Sequence, residues 1–221
     1  MLNHELHGQQ IALIDASIKA GVKRFLPSEY GGDASIQKVR DIPYLKSKGI
    51  VQECIIKSGL PYAFLYTGPF LEWGVKGFFL DPANAEAHVW NGGNIPIGMT
   101  LLSDVGLAIV NILLQPSETE NRHLYVASRV ATQNEVLDAV KKAGIKFSIV
   151  PRDLETSLVA AWEADKAGRS GEPAFIRDFV AACLYKYHQE YKVNHNRDND
   201  LLGVKTLSDE EFRQAIAKAL K

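Results

Sequence analysis

Lys48 stands where an ordinary surface lysine would not. Positions 44, 48, 51 and 55 share one face of a helix, and here they read Tyr44, Lys48, Val51 and Ile55, an apolar stripe with an ammonium set into it. The opposite face carries Lys46, Glu53 and Lys57 and reads as the solvent side. A lysine on the inward stripe must snorkel, pair or serve a site. Desolvation lowers its pKa, which suits a group that gives and takes a proton near neutral pH.

A second candidate lies upstream. The stretch GVKRFLPSEYGGD, residues 21–33, reads as a buried strand that stops abruptly in a serine, an acid, an aromatic and two glycines. Side chains at the carboxyl end of a parallel strand face the mouth of the sheet, where open α/β folds bind ligands. Ser28 occupies that place, with Gly31 and Gly32 allowing close backbone approach. A serine that merely opens a turn is the competing reading.

Other residues carry less. His4 and His7 in HELH lack the HExxH spacing and an obvious third ligand, so no metal site is expected. NGGN reads as the turn of a hairpin between HVW and IPIG, since neither a helix nor a lysine follows it as in a phosphate loop. His188 and His195 read as surface residues, and Trp73 either walls a pocket or packs. Cys54 and Cys183 sit in apolar helical patterns and read as buried, reduced thiols.

These residues need a scaffold, and the chain supplies one. Ile11, Ile14 and Ile18 mark a helix over about residues 5–20 that Gly21 closes. The strand VKRFLPS follows, then a helix over about 45–57, then the buried strand PYAFLYTGPF. Helix and strand alternating at this spacing is the rhythm of an α/β parallel sheet. Farther on, Ser103 or Asp104 is placed to cap a helix through Leu114, RHLYVAS and KFSIV read as strands, and Thr132 with Glu135 forms a capping box. Helical segments are expected near 152–167, 172–190 and 208–220, with NHNRDND as an exposed loop between the last two.

Bulk properties exclude some partners. Among 221 residues, 25 basic side chains nearly cancel 26 acidic ones, so nothing marks a surface for nucleic acid or anionic lipid. The N-terminal stretch is too polar for a signal peptide, and VGLAIVNILL is too short to span a bilayer. A cytoplasmic protein is expected.

Several blocks in order resemble the NmrA-like, isoflavone-reductase-like branch of the atypical short-chain dehydrogenases, in particular its fungal members. They are LIDASIKAGVKRFLPSEYGGD, SGLPYAFLYTGPFLEWG, VWNGGNIPIGMTLLSDVGLAIVNILLQPSETENRHLYVAS and TQNEVLDAVKKAG, with a looser match at DLLGV. The resemblance implies a Rossmann-like parallel sheet with a smaller, mostly C-terminal α+β substrate domain. Residues 1–80, with return segments near 100–130, would belong to the dinucleotide-binding part and 81–221 mainly to the substrate-binding region. It also implies NADPH as cofactor. The family's catalytic lysine lies eleven residues before the glycine of its GLPY segment, and counting back from Gly59 lands on Lys48.

Tyr44 and Lys48 match the Tyr-x-x-x-Lys spacing of short-chain dehydrogenases, although relatives generally lack that tyrosine. Plant reductases place a substrate-holding arginine one turn after the lysine; Gln52 stands there, which points away from plant phenylpropanoids. The segment that approaches the nicotinamide falls on Gly68, Pro69 and Phe70.

One departure stands out. Relatives begin with a strand, a glycine-rich GxxGxxG turn and further βα units, whereas this chain opens inside the helix before GVKRF. The resemblance therefore implies an N-terminally truncated sheet that lacks the pyrophosphate-binding turn and binds NADPH poorly. The leading expectation is an NADPH-dependent reductase of a small aromatic or conjugated metabolite, with Lys48 handling the proton and Ser28 polarising the substrate. A dinucleotide-sensing regulator that binds a protein partner is the alternative, and an inactive remnant is a third.

Overall fold

The computed structural model describes residues 9–74, 76–77, 80–169, 171–187 and 197–220. His4, His7, His188 and His195 lie outside them.

The first helix, α1 (Gln10–Lys19), buries Ile14 against the inner face of α3, and a short α2 (Gln37–Arg40) leads into α3 itself (Pro43–Ser58). Pro43 starts α3, where its missing N–H costs nothing, and Gly59 ends it in the left-handed conformation at φ 72°. The chain then enters β1 (Ala63–Tyr66), whose four residues are all buried. A short α4 (Leu71–Gly74) follows, then β2 (Leu80–Asp81), β3 (Glu86–Trp90), β4 (Ile97–Met99), α5 (Leu102–Leu114), a single turn α6 (Pro116–Thr119) and β5 (Arg122–Tyr125).

The first sheet is parallel. β1 pairs with β5 from Ala63↔Arg122 to Tyr66↔Tyr125. The expected strand VKRFLPS lies along β1 in parallel, but only one bridge forms, Phe25↔Tyr62. Pro27 has no N–H to continue the ladder, and the chain turns there, the Glu29 amide donating to the Pro27 carbonyl at 2.8 Å. Contact with β1 resumes where the Tyr30 amide reaches the Leu65 carbonyl at 3.1 Å.

The expected hairpin around NGGN does not form. β3 is the middle strand of a three-stranded sheet, antiparallel to β2 and parallel to β7 (Ser148–Arg152). β4 instead pairs antiparallel with β6 (Arg129–Ala131). Asn91, Gly92 and Gly93 are left-handed in succession, at φ 47°, 76° and 71°, and carry the chain away from β3. Gln133 then takes up strand hydrogen-bonding groups that a returning partner would use, accepting from the Trp90 amide and donating to the His88 carbonyl.

Two other expectations are corrected. α5 is capped by neither Ser103 nor Asp104; both lie in its first turn, and the Leu102 amide donates to the Glu72 carboxylate at 3.1 Å. The end of NHNRDND is not an exposed loop either. Asp198 and Asn199 are buried and bond to the backbone beside β5, at Tyr125 and Ala127.

The remaining helices follow the sequence closely. α7 (Gln133–Lys142) starts with the Thr132–Glu135 capping box, and α8 (Leu154–Lys166) is capped by Asp153. α9 (Pro173–Ala181) runs into a π-helical turn at 182–186, and a helix at Asp209–Ala219 closes the described chain. α8, α9 and the π turn pack Leu158, Phe179 and Cys183 onto Val39, Ile42 and Leu45 of the α2–α3 region, so the C-terminal segments cover the entrance to α3.

Candidate active site

The carboxyl ends of the parallel segments converge on a buried polar cluster. Lys48 is 4% exposed, as the helix phase requires, and its ammonium donates to the main-chain carbonyl of Glu29. The Glu29 side chain is 1% exposed, and its Oε2 has no hydrogen-bond partner. Gln52, one turn after Lys48, is buried beside them and donates to the Tyr66 hydroxyl at 3.1 Å. Tyr66, the last residue of β1, also meets His123 Nδ1 at 3.0 Å. The Tyr125 hydroxyl at the end of β5 donates to Asp33 at 2.6 Å, and Asp33 accepts further from the amide and hydroxyl of Ser35.

Burial governs the charges. Desolvation lifts the Glu29 carboxyl to about 7, with the Lys48 charge and a Gln52 hydrogen bond pulling the other way. The same desolvation lowers the Lys48 ammonium, and Glu29 partly restores it. Tyr66 and Tyr125 are pushed up, first by burial and then by the Asp33 charge, so both stay neutral donors at neutral pH. Burial lowers His123, which keeps it a neutral imidazole there. The cluster thus joins one amine softened toward neutrality to one acid raised toward it. Such a pair is suited to proton transfer.

The other sequence candidates fall into three groups. Ser28 is half-buried, one residue before Glu29, its amide held by the Gln10 side chain at 2.8 Å. Gly68 is left-handed at φ 59°, and a Cβ there would lie 2.1 Å from the Gly98 carbonyl oxygen. Its missing side chain therefore serves the crossing with β4. Pro69 and Phe70 are buried in the same turn, locked by the Phe70↔Thr100 bridge, and the half-exposed Trp73 packs edge-on against Phe70 at 5.5 Å.

Tyr44 turns to a different element from Lys48: its hydroxyl lies 4.0 Å from Cys183 Sγ at the π turn. Glu29, Asp33, Tyr66, His123 and Tyr125 had no role in the sequence reading. The abrupt polar stretch after VKRFLPS marked the region of Glu29, but nothing in it marked the acid as buried. A separate group, Asp81, Glu86 and His88, gathers its ligand atoms within 4.8 Å. Burial lowers the His88 pKa, and the Arg177 and Arg152 charges lower it further, a positive surround that disfavours a cation.

Comparison with known proteins agrees with this architecture. The model of the NmrA-like family matches residues 2–152. The oxidoreductase aprR of Aspergillus flavus is 32% identical over 218 residues, 95% of this chain and 73% of that protein. The isoflavone reductase of Pisum sativum is 26% identical over 166 residues, 67% of this chain and 52% of its own length. Among solved structures, the ternary complex of leucoanthocyanidin reductase from Vitis vinifera superposes with a TM-score of 0.73 at 20% identity, over all of this chain and 77% of that one. Isoflavone reductase gives a TM-score of 0.69 at 20% identity, over 95% and 77% of the two chains.

Fold and relatives together define an α/β, Rossmann-like oxidoreductase. The chain belongs to the NmrA-like family. No helix among the described residues is long and apolar enough to cross a membrane.

Proposed function

We propose that the protein is an NADPH-dependent reductase of a small conjugated or aromatic metabolite, with Lys48 as proton donor. The observation that carries this reading is the buried Lys48 ammonium at the carboxyl ends of parallel segments, where open α/β sheets bind their ligands. The donor set fits the nicotinamide end of such a cofactor: a desolvated ammonium backed by neutral tyrosines, with the rigid Gly68–Phe70 turn alongside. The cofactor, when bound, supplies hydride from C4 of its nicotinamide ring.

The residues of this chain do the rest. Lys48 holds a ribose hydroxyl and delivers a proton to the reduced substrate, which its lowered pKa makes easier. Ser28, one residue before Glu29, would polarise the substrate, and the exposed Trp73 ring, backed by the buried Phe70, would stack on a planar ring. Relatives named isoflavone reductase and pinoresinol-lariciresinol reductase support a small aromatic substrate, while Gln52, where the plant reductases place an arginine, argues against the same plant compounds.

The test is NADPH oxidation followed at 340 nm, with the chain extended upstream through a glycine-rich turn, against a panel of conjugated ketones, benzylic ethers and aromatic enones. Lys48→Ala should lower turnover by about 10²–10⁴-fold, the usual cost of losing a general acid–base group. Lys46→Ala, on the exposed face of α3, should leave it nearly unchanged. Equal turnover in wild type and Lys48→Ala would remove the lysine from the mechanism.

A further inference from the structure

We propose that Glu29 is the positioning residue of Lys48: its main-chain carbonyl fixes the place of the ammonium, and its side-chain carboxyl, in the same dry compartment, controls whether that ammonium stays charged. The functional meaning of this coupling rests on reading Lys48 as the proton donor. The coupling itself does not.

A carboxyl group 1% exposed, with one oxygen lacking any hydrogen bond among the described residues, is an expensive thing to bury. Packing alone does not call for it, since a neutral side chain of the same length would fill the space. The compensation must come from the neighbours, and each can be named. α3 presents Lys48 and Gln52, the loop after Pro27 presents Tyr30 and Asp33, and β1 presents Tyr66. His123 and Tyr125 of β5 stand behind them, bonded to Tyr66 and Asp33.

Of these, only Lys48 brings positive charge. Asp33 already accepts from Ser35 and Tyr125, and its charge opposes ionisation of Glu29. The compartment therefore holds one cation, one acid satisfied by hydrogen bonds, and one acid poised between charge states. Ionised Glu29 favours the Lys48 ammonium, and neutral Glu29 leaves the lysine to its desolvation. By reciprocity, loss of the lysine's proton raises the Glu29 pKa, so the pair titrates together. A lysine that releases and regains a proton each cycle is kept responsive by such a neighbour.

The two roles of Glu29 are separable. Glu29→Gln keeps the main-chain carbonyl that anchors Lys48 and removes only the charge. The experiment is an NMR titration of the chain labelled with 13C at lysine Cε and glutamate Cδ, without cofactor or substrate. In wild type, Glu29 Cδ should titrate near pH 7, and Lys48 Cε should show an inflection at the same pH besides its own. In Glu29→Gln that inflection should vanish, and the Lys48 midpoint should fall by about 1 unit or more, a tenfold shift in its proton affinity.

A Glu29 midpoint near the ordinary 4.5 would overturn the proposal, as would a Lys48 resonance indifferent to Glu29. If the variant does not fold, the wild-type titration decides alone, because shared or separate inflections are read from it directly. Turnover is not measured here, so a coupled titration alongside a catalytically silent Lys48→Ala would sink the reductase reading and leave the coupling standing.

Discussion

At the scale of the residue, the buried acid has a consequence for stability. Glu29 moves from 4.5 to about 7 on folding, so the native state binds its proton more tightly than the unfolded chain does. Its stabilising contribution is complete below about pH 4.5 and is lost as pH rises through about 7. The full shift, already net of the Lys48 attraction, corresponds to about 3 kcal/mol. Urea unfolding at half-unit steps from pH 4.5 to 8 should show wild type losing stability relative to Glu29→Gln over that window. Parallel curves would mean that Glu29 titrates alike in both states. Lys48 could be found from sequence because helix phase alone turns position 48 inward. Glu29 could not: an acid just after a strand is ordinarily a solvated turn residue. What buries it is α3 and the ends of β1 and β5 closing over the loop, and that depends on contacts between segments far apart in the chain.

At the scale of the element, local signals and the parallel sheet held, while the pairing of β3 with β4 did not. Helix limits followed from Pro43, Gly59 and the Thr132–Glu135 box, all of which act within a few residues of themselves. β3 takes the preceding β2 and the distant β7 as partners, and β4 takes β6, so the β3–β4 hairpin was the wrong inference. The most instructive case is the edge of β5, which side chains cover in place of a strand. Asp198 accepts from the Tyr125 amide at 2.8 Å, and Asn199 bonds both groups of Ala127, accepting at 3.1 Å and donating at 2.8 Å. Asn199→Ala should cost about 1–3 kcal/mol, since it leaves buried backbone groups without partners. Hydrogen exchange locates the effect: the Ala127 amide should lose protection in Asn199→Ala, while Leu65, within β1, keeps it. Unchanged protection at Ala127 would show that the edge is held by something else.

At the scale of the molecule, α5 presents an unbalanced surface. Its inner face buries Val105, Ala108 and Ile112 in the cluster that also holds Leu124 and Val126. Its outer face is apolar as well, with Leu107, Val110, Leu113 and Leu114 exposed, the last at 72%. A helix apolar all round is normally covered on both sides, and a row of exposed aliphatic side chains favours association. The net charge of −1 offers little repulsion against it. The described chain should therefore self-associate as its concentration rises and should enhance the fluorescence of an apolar dye such as ANS. Val110→Glu with Leu114→Lys touches only the exposed row, so the inner packing and the cluster around Lys48 stay intact. Sedimentation velocity at about 10 and 100 μM should show the weight-average coefficient of wild type climbing with concentration, while that of the double variant stays flat. The same variant should keep its circular dichroism and its unfolding midpoint, as surface substitutions away from the core usually do. A wild-type chain that stays monomeric throughout, with no dye response, would mean that this face is tolerated in water and marks no contact.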